Sequence, residues 1–190
     1  AEQKSLLVQA AAVRATRLAD VAAAIALYRD ALATHGPDRA IHAALCRLYE
    51  LSDAWTELVA ILEQDLLAAT EENDRLGIIV RLGETRRTRT GEALTAVDHY
   101  REALALDADQ ATARAALEGL LADATPGVAL AAARALDPVL QDESAWEKLV
   151  AVLDRIAADT DDPEERRQAY ARGADVCEIG LNDPSRAFDR

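Results

Sequence analysis

Residues 79–104 read IVRLGETRRTRTGEALTAVDHYREAL, and the organisation of the whole chain follows from this stretch. Apolar and small residues recur at three and four positions, at Ile79, Leu82 and Gly83 and again at Ala96, Tyr100, Ala103 and Leu104, which is the period of a helix with one buried face. A short polar break separates the two runs. They read as helices over 72–89 and 92–106, and so short a connection makes them antiparallel neighbours.

The same pattern occurs elsewhere in the chain. A shift of 72 places Arg14, Thr16 and Arg17 on Arg86, Thr88 and Arg89, places Ala24, Tyr28, Arg29, Ala31 and Leu32 on Ala96, Tyr100, Arg101, Ala103 and Leu104, and carries Ala43, Ala44, Leu45 and Leu48 onto Ala115, Ala116, Leu117 and Leu120. A second shift, of 91, superposes Trp55, Leu58 and Leu62 on Trp146, Leu149 and Leu153, Arg75 and Arg81 on Arg166 and Arg172, and Ala96 on Ala187. The chain is a repeat protein. The helix at 38–51 matches 110–123 at one shift and 129–142 at the other, so one helix is duplicated, and Pro138 within 127–141 is expected to bend it.

Composition agrees. The 190 residues carry 21 Lys+Arg against 34 Asp+Glu, a net charge of −13, with 51% hydrophobic and only 4% aromatic residues, which describes a folded, acidic, helical chain and argues against a β-sandwich. The charge argues against nucleic acid or an anionic membrane surface as the main partner, and no apolar run is long enough to span a membrane. Cys46 and Cys177 have no metal-type spacing and read as free thiols. The chain begins at Ala1 and contains no Met, which reads as an internal or processed segment; localisation stays open between cytoplasm and periplasm. Scarce Lys beside abundant Arg, Ala, Leu and Asp suggests a GC-rich bacterial source.

Helix starts are expected at Gly36-Pro37, Thr125-Pro126, Asp137-Pro138, Asp162-Pro163 and Asp183-Pro184, because proline at the first helical position gives up an amide that has no partner there. Ser144-Ala145-Trp146-Glu147 fits a capping box, and Asp20, Asp53, Thr90 and Asp107 are further candidate caps. The expected helices are 3–18, 20–34, 38–51, 54–69, 72–89, 92–106, 109–122, 127–141, 145–158, 163–179 and 184 onward.

The quoted residues resemble the tetratricopeptide repeat (TPR) family, whose first helix carries a large residue, then leucine-glycine, and whose second carries alanine, an aromatic and alanine. Ile79, Leu82-Gly83, Ala96, Tyr100 and Ala103 form the best copy; Leu7, Ala10-Ala11, Ala24, Tyr28 and Ala31 a second; and Tyr170, Gly173-Ala174 and Ala187 begin a third. Small residues at Ala11, Gly83 and Ala174, and at Ala24, Ala96 and Ala187, let the two helices of a hairpin approach, and Tyr28 and Tyr100 fill the next space. Arg14 and Arg86 depart from the family, which usually has an aromatic there. The resemblance implies an all-α, right-handed α-α superhelix, a TPR-like solenoid of about eleven helices in stacked antiparallel hairpins. These hairpins would fall at 3–34, 38–69, 72–106, 109–158 with an extra helix, and 163–190, where the last is cut short. An armadillo or HEAT-type solenoid is the structural alternative.

Catalytic motifs are absent from the sequence: there is no H-E-x-x-H, G-x-S-x-G, phosphate loop or C-x-x-C. His35, His42 and His99 read as exposed or partly packed. Acidic runs at 71–74 and 159–162 suit helix starts rather than a cation site, so no cofactor and no metal is expected. Arg81, Arg86, Arg87 and Arg89 lie within nine residues. They read either as an anion-binding stripe or as last-turn cations that face the helix dipole and pair with nearby acids. The resemblance implies that Val80, Glu84, Arg87 and Thr88 line the concave face where partner peptides lie, with Arg86 and Arg89 beside them. Trp55 and Trp146 read as core rather than as surface anchors. The expected function is a non-enzymatic scaffold for a protein or peptide partner, with a spacer or self-associating segment, joined through its repeat ends, as the alternative.

Overall fold

A computed structural model describes residues 2–17, 20–125 and 127–188. Among them are eleven α-helices and no strand: α1 (Glu2–Arg17), α2 (Val21–His35), α3 (Arg39–Leu51), α4 (Trp55–Ala68), α5 (Glu72–Thr85), α6 (Ala93–Leu106), α7 (Ala111–Leu120), α8 (Val128–Asp142), α9 (Trp146–Asp159), α10 (Pro163–Asp175) and α11 (Pro184–Phe188). A wide π-helical turn extends α5 over Arg86–Thr90 and another extends α10 over Val176–Gly180. Leu18, Pro126, Asp189 and Arg190 lie outside the described residues, and with them the expected end of the first helix and the expected start at Thr125-Pro126.

The chain forms two compact units, Ala1–Ile78 and Ile79–Arg190, with the boundary inside α5. In the first, α1 and α2 form one hairpin, α3 and α4 a second, and α2 packs on α3. The core is built from Ala11, Ala24, Tyr28 and Ala31, then Ile41, Leu45, Tyr49, Leu58 and Leu62, spaced so that each helix buries one stripe. In the second unit α6 packs on both α7 and α8, α8 pairs with α9, α9 packs on α10, and α10 with its π-turn packs on α11.

This arrangement identifies the inserted helix. The hairpin α8–α9 is the counterpart of α3–α4 at the shift of 91, since Ile41, Leu45, Leu48 and Tyr49 are buried in one and Ala132, Leu136, Val139 and Leu140 in the other. The ten-residue α7 is the addition. It buries Ala113, Ala116, Leu117 and Leu120, and it is tied to the C-cap of α8 by Arg114 to Glu143 and to the first turn of α9 by Lys148 Nζ to Glu118 Oε1 at 2.7 Å.

Loop chemistry repeats with the same period. In the turns that follow α1, α5 and α10 an amide six residues on closes back onto a carbonyl: Asp20 N–H to Arg14 C=O at 3.0 Å, Glu92 to Arg86 at 2.9 Å, and Asp183 to Cys177 at 2.8 Å. Gly91 at φ 74° and Asn182 at φ 53° supply the left-handed residue in two of these turns. Arg75 Nη1 donates to the Leu66 carbonyl at 3.4 Å and Arg166 Nε to that of Ala157 at 3.1 Å, so the Arg75/Arg166 match reflects a cation placed on the last free carbonyls of α4 and α9.

Several cap assignments change. Asp20, Asp38 and Asp162 cap α2, α3 and α10 through their carboxylates, and Asp183 accepts from Arg186 N–H at the start of α11. The capping box at Ser144 does not form: Ser144 is left-handed at φ 56°, Ala145 is the N-cap, and no side chain closes it. Asp53 behaves identically at φ 54°, ahead of Ala54. Both turns need a reversed residue just before the cap, because Ala54 and Ala145 donate back to Tyr49 and Leu140. Thr90 belongs to the end of the preceding helix, where its hydroxyl donates to Arg86 C=O, and Glu92 is the cap residue of α6. Asp107 closes α6, while Gln110 caps α7. Pro138 lies inside α8, which continues through it, and Pro37 precedes the Asp38 cap, so neither begins a helix.

An L-residue other than Asn or Asp held left-handed costs about 1–2 kcal/mol, while glycine loses about 0.5–1 kcal/mol in chain entropy. Ser144→Gly is therefore expected to raise the unfolding free energy by about 0.5–1 kcal/mol. Urea melts of the two proteins measure this directly, and an unchanged or lowered midpoint would show that the turn carries no strain.

Candidate functional site

The six residues expected to meet a partner lie in the last turns of α5 and its π-turn. Val80 and Glu84 are half-buried one turn apart; Arg86 and Arg87 are half-buried; Thr88 and Arg89 are exposed. Their hydrogen bonds divide them into two groups.

Arg86 pairs with Glu92, across the loop to α6. Arg14 pairs with Asp20 at 3.3 Å in the same place one copy earlier. Thr88 Oγ1 donates to Glu84 C=O at 2.7 Å, and Thr16 Oγ1 to Ala12 C=O at 2.8 Å. The repeated Arg-x-Thr pattern thus builds the hairpin turn: the cation neutralises the acid at the next helix start, and the hydroxyl satisfies a last-turn carbonyl. The Arg17 side chain lies outside the described residues. In the third copy Cys177 replaces the arginine and is buried.

Glu84 and Arg87 do something the other copies do not. Tyr100 is fully buried, and its hydroxyl donates to Glu84 Oε1 at 2.5 Å. Arg87 Nε donates to that same hydroxyl at 3.2 Å, and Nη2 reaches both Glu84 oxygens at 3.3 and 3.1 Å. Burial, together with the hydrogen bond to the Glu84 carboxylate, raises the Tyr100 hydroxyl's pKa, so it stays protonated and donating. The bond to Tyr100 and the Glu84 charge likewise strengthen the hold of Arg87 on its proton. The guanidinium is fixed from two sides, with its side chain 35% exposed and Nη1 making no hydrogen bond among the described residues.

Beneath this network the Tyr100 ring lies on Gly83, where a built Cβ would sit 2.7 Å from Cε1. The first copy has Ala12, Ala15 and Tyr28 at the corresponding places, and among the described residues the Tyr28 hydroxyl makes no such bond. Sequence reading assigned Tyr100 to packing alone. The available signal was the contrast between Ala12/Ala15 and Glu84/Arg87 in two otherwise matching copies.

The tryptophans are half-buried rather than core; Trp146 covers Gly180, whose built Cβ would lie 2.9 Å from the indole. His42, expected to be exposed or partly packed, is 6% exposed, and its Nδ1 lies 2.5 Å from Asp65 Oδ1, joining α3 to α4. Among the described residues no group of three or more His, Cys, Asp and Glu is placed to hold a metal ion, and no helix is long and apolar enough to cross a membrane.

No family model and no curated protein matches the sequence. Among solved structures, the chain is similar to the TPR2AB-domain:pHSP90 complex of yeast Sti1, at 13% identity and a TM-score of 0.44, covering 99% of this chain and 77% of that one.

Proposed function

We propose that this chain is a non-enzymatic protein-binding scaffold that holds a partner peptide or helix on the α5–α6 hairpin, with Arg87 as the principal contact. The observation that supports this reading is the Glu84–Tyr100–Arg87 network, which occurs in one copy of a repeat whose first copy packs the same tyrosine without it. A guanidinium held on Nε and Nη2 has already lost most of its rotamer freedom, so forming a further bond from Nη1 to a partner carboxylate or carbonyl costs little entropy. Thr88 and Arg89 flank it in solvent, Arg86 borders it, and half-buried Val80 offers an apolar neighbour one turn before Glu84. The net charge of −13 favours neutral or basic partners at long range, while Arg87 and Arg89 select an acceptor locally.

The test is retention of partners from the source lysate on the immobilised chain, at low and moderate salt, beside Arg87→Ala/Arg89→Ala and the first-copy control Arg14→Ala. A partner held by the wild type and by Arg14→Ala, and weakened at least about tenfold by the double variant, is the expected result. Equal retention by all three proteins would remove the α5–α6 site from this reading. Recovery of nothing but the chain itself would favour the self-associating segment.

A further inference from the structure

A guanidinium grips a carboxylate or phosphate with two parallel N–H groups from one edge, either Nε with Nη2 or Nη1 with Nη2. Arg87 has lost a member of each edge. Its Nε donates to the Tyr100 hydroxyl at 3.2 Å, and its Nη2 donates to both oxygens of Glu84, at 3.3 and 3.1 Å. Tyr100 in turn donates to Glu84 Oε1 at 2.5 Å, so the carboxylate cannot swing aside without releasing a buried hydroxyl. Nη1 makes no hydrogen bond among the described residues. What Arg87 offers a partner is therefore a single-ended donor, which suits one carbonyl oxygen.

Charge points the same way. The Arg87 and Glu84 side chains are 35% and 36% exposed and lie against each other, so the pair presents no net charge to an incoming group. Arg86 is neutralised by Glu92. Arg81 and Arg89 stand six residues before and two after Arg87, spacings that do not share a helix face with it. The chain as a whole, at −13, repels anions. Half-buried Val80 does share the face, since Val80, Glu84 and Arg87 follow at four and three positions. From Val80 to Arg87 the helix rises roughly 10 Å, the length of about three extended residues.

We propose, on the reading that Arg87 is the principal contact, that Glu84 sets the specificity of this site: it admits the main-chain carbonyl of an extended, internal peptide segment and rejects carboxylates and phosphates. The segment lays an apolar side chain on Val80 and offers a carbonyl oxygen to Nη1. A main-chain carbonyl is favoured over the amide of Asn or Gln because it brings no side-chain rotamers to be frozen. Glu84 acts through Arg87, by occupying Nη2 and cancelling the charge.

The probe is a phage library of random dodecapeptides fused through their C-termini, selected on the immobilised full chain and depleted on Arg87→Ala. A selected peptide, acetylated and amidated, should lose less than about threefold in affinity between low and moderate salt. Exchange of one backbone amide for an ester, which weakens its carbonyl as an acceptor, should cost at least about fivefold, and exchange of Asn or Gln in the peptide for Ala should not. Shortened to end at the residue whose carbonyl was exchanged, the peptide should bind the wild type more tightly as the amide than as the free acid. Glu84→Gln keeps an acceptor for Tyr100 and removes the charge, so it should reverse that order, with circular dichroism melts checking its fold. A free acid held by the wild type as tightly as the amide would overturn the specificity and leave the α5–α6 site standing. So would selected peptides that lose binding when Asp or Glu is changed to Asn or Gln. An unreversed order in folded Glu84→Gln would overturn the role of Glu84, and dependence on an Asn or Gln side chain with no sensitive backbone position would overturn the main-chain assignment. A library that yields no Arg87-dependent binder would overturn both the specificity and the contact it rests on.

Discussion

Gly83→Ala is expected to lower the unfolding free energy by about 1–2 kcal/mol, although alanine is the better helix former. The added methyl would meet three atoms of the Tyr100 ring, Cε1 at 2.7 Å, Cδ1 at 3.0 Å and Cζ at 3.1 Å. Overpacking of this kind costs up to about 3 kcal/mol, and the gain in helix propensity returns about 1 kcal/mol. The ring cannot simply tilt away, because its hydroxyl is held by Glu84 and Arg87. The first copy supplies the control: Ala11 packs there beside a buried Tyr28, in a hairpin where Ala12 and Ala15 replace the two tethering residues. Thermal melts of Gly83→Ala should fall by roughly 2–4 °C per kcal/mol for a chain of this size. In a Glu84→Ala/Arg87→Ala background the same substitution should cost less, since the ring is then free to move. An equal cost in both backgrounds would show that the hydrogen bonds do not hold the ring.

The His42–Asp65 pair should show the opposite of additivity. Asp65→Ala leaves the ring nitrogen of a 6% exposed histidine without its partner, and an unsatisfied buried polar group costs about 1–3 kcal/mol. At the shift of 91 the two positions are Ala133 and Ile156, both buried, so the fold accepts an apolar pair between these helices. His42→Ala/Asp65→Ile is therefore expected to lie within about 1 kcal/mol of the wild type, well above Asp65→Ala alone. A double variant as unstable as the single one would mean that the hydrogen bond itself, rather than the avoided desolvation, holds α3 to α4.

Both cases follow from reading the repeat as an internal comparison. Equivalent positions share backbone geometry, so a difference between copies isolates what a side chain adds. By that measure Arg86 and Thr88 are parts of the hairpin turn, because Arg14 and Thr16 make the same bonds. Glu84 and Arg87 stand out because their first-copy counterparts are Ala12 and Ala15.

The helices, their order and the two repeat shifts were legible in the sequence, because each depends on local periodicity: one apolar stripe per helix, short polar breaks, and Asp20 or Asp162 placed to accept from free amides. The all-α hairpin architecture implied by the tetratricopeptide resemblance is the one observed. Tertiary structure decided what local pattern does not carry. Asp53 and Ser144 look like caps in sequence but are left-handed, because the chain must reverse just before Trp55 and Trp146 to return each second helix onto the first. Which of two matching helices is the insertion was decided by packing, with α8 taking its place against α9 and α7 lodged between α6 and α8. Tyr100 meets Arg87 and Glu84 across 13 and 16 residues, and His42 meets Asp65 across 23. Such contacts depend on how far each helix is rotated about its own axis and how closely its neighbour approaches. Gly83 sets that approach for α5 and α6, and a hydrophobic period leaves it open.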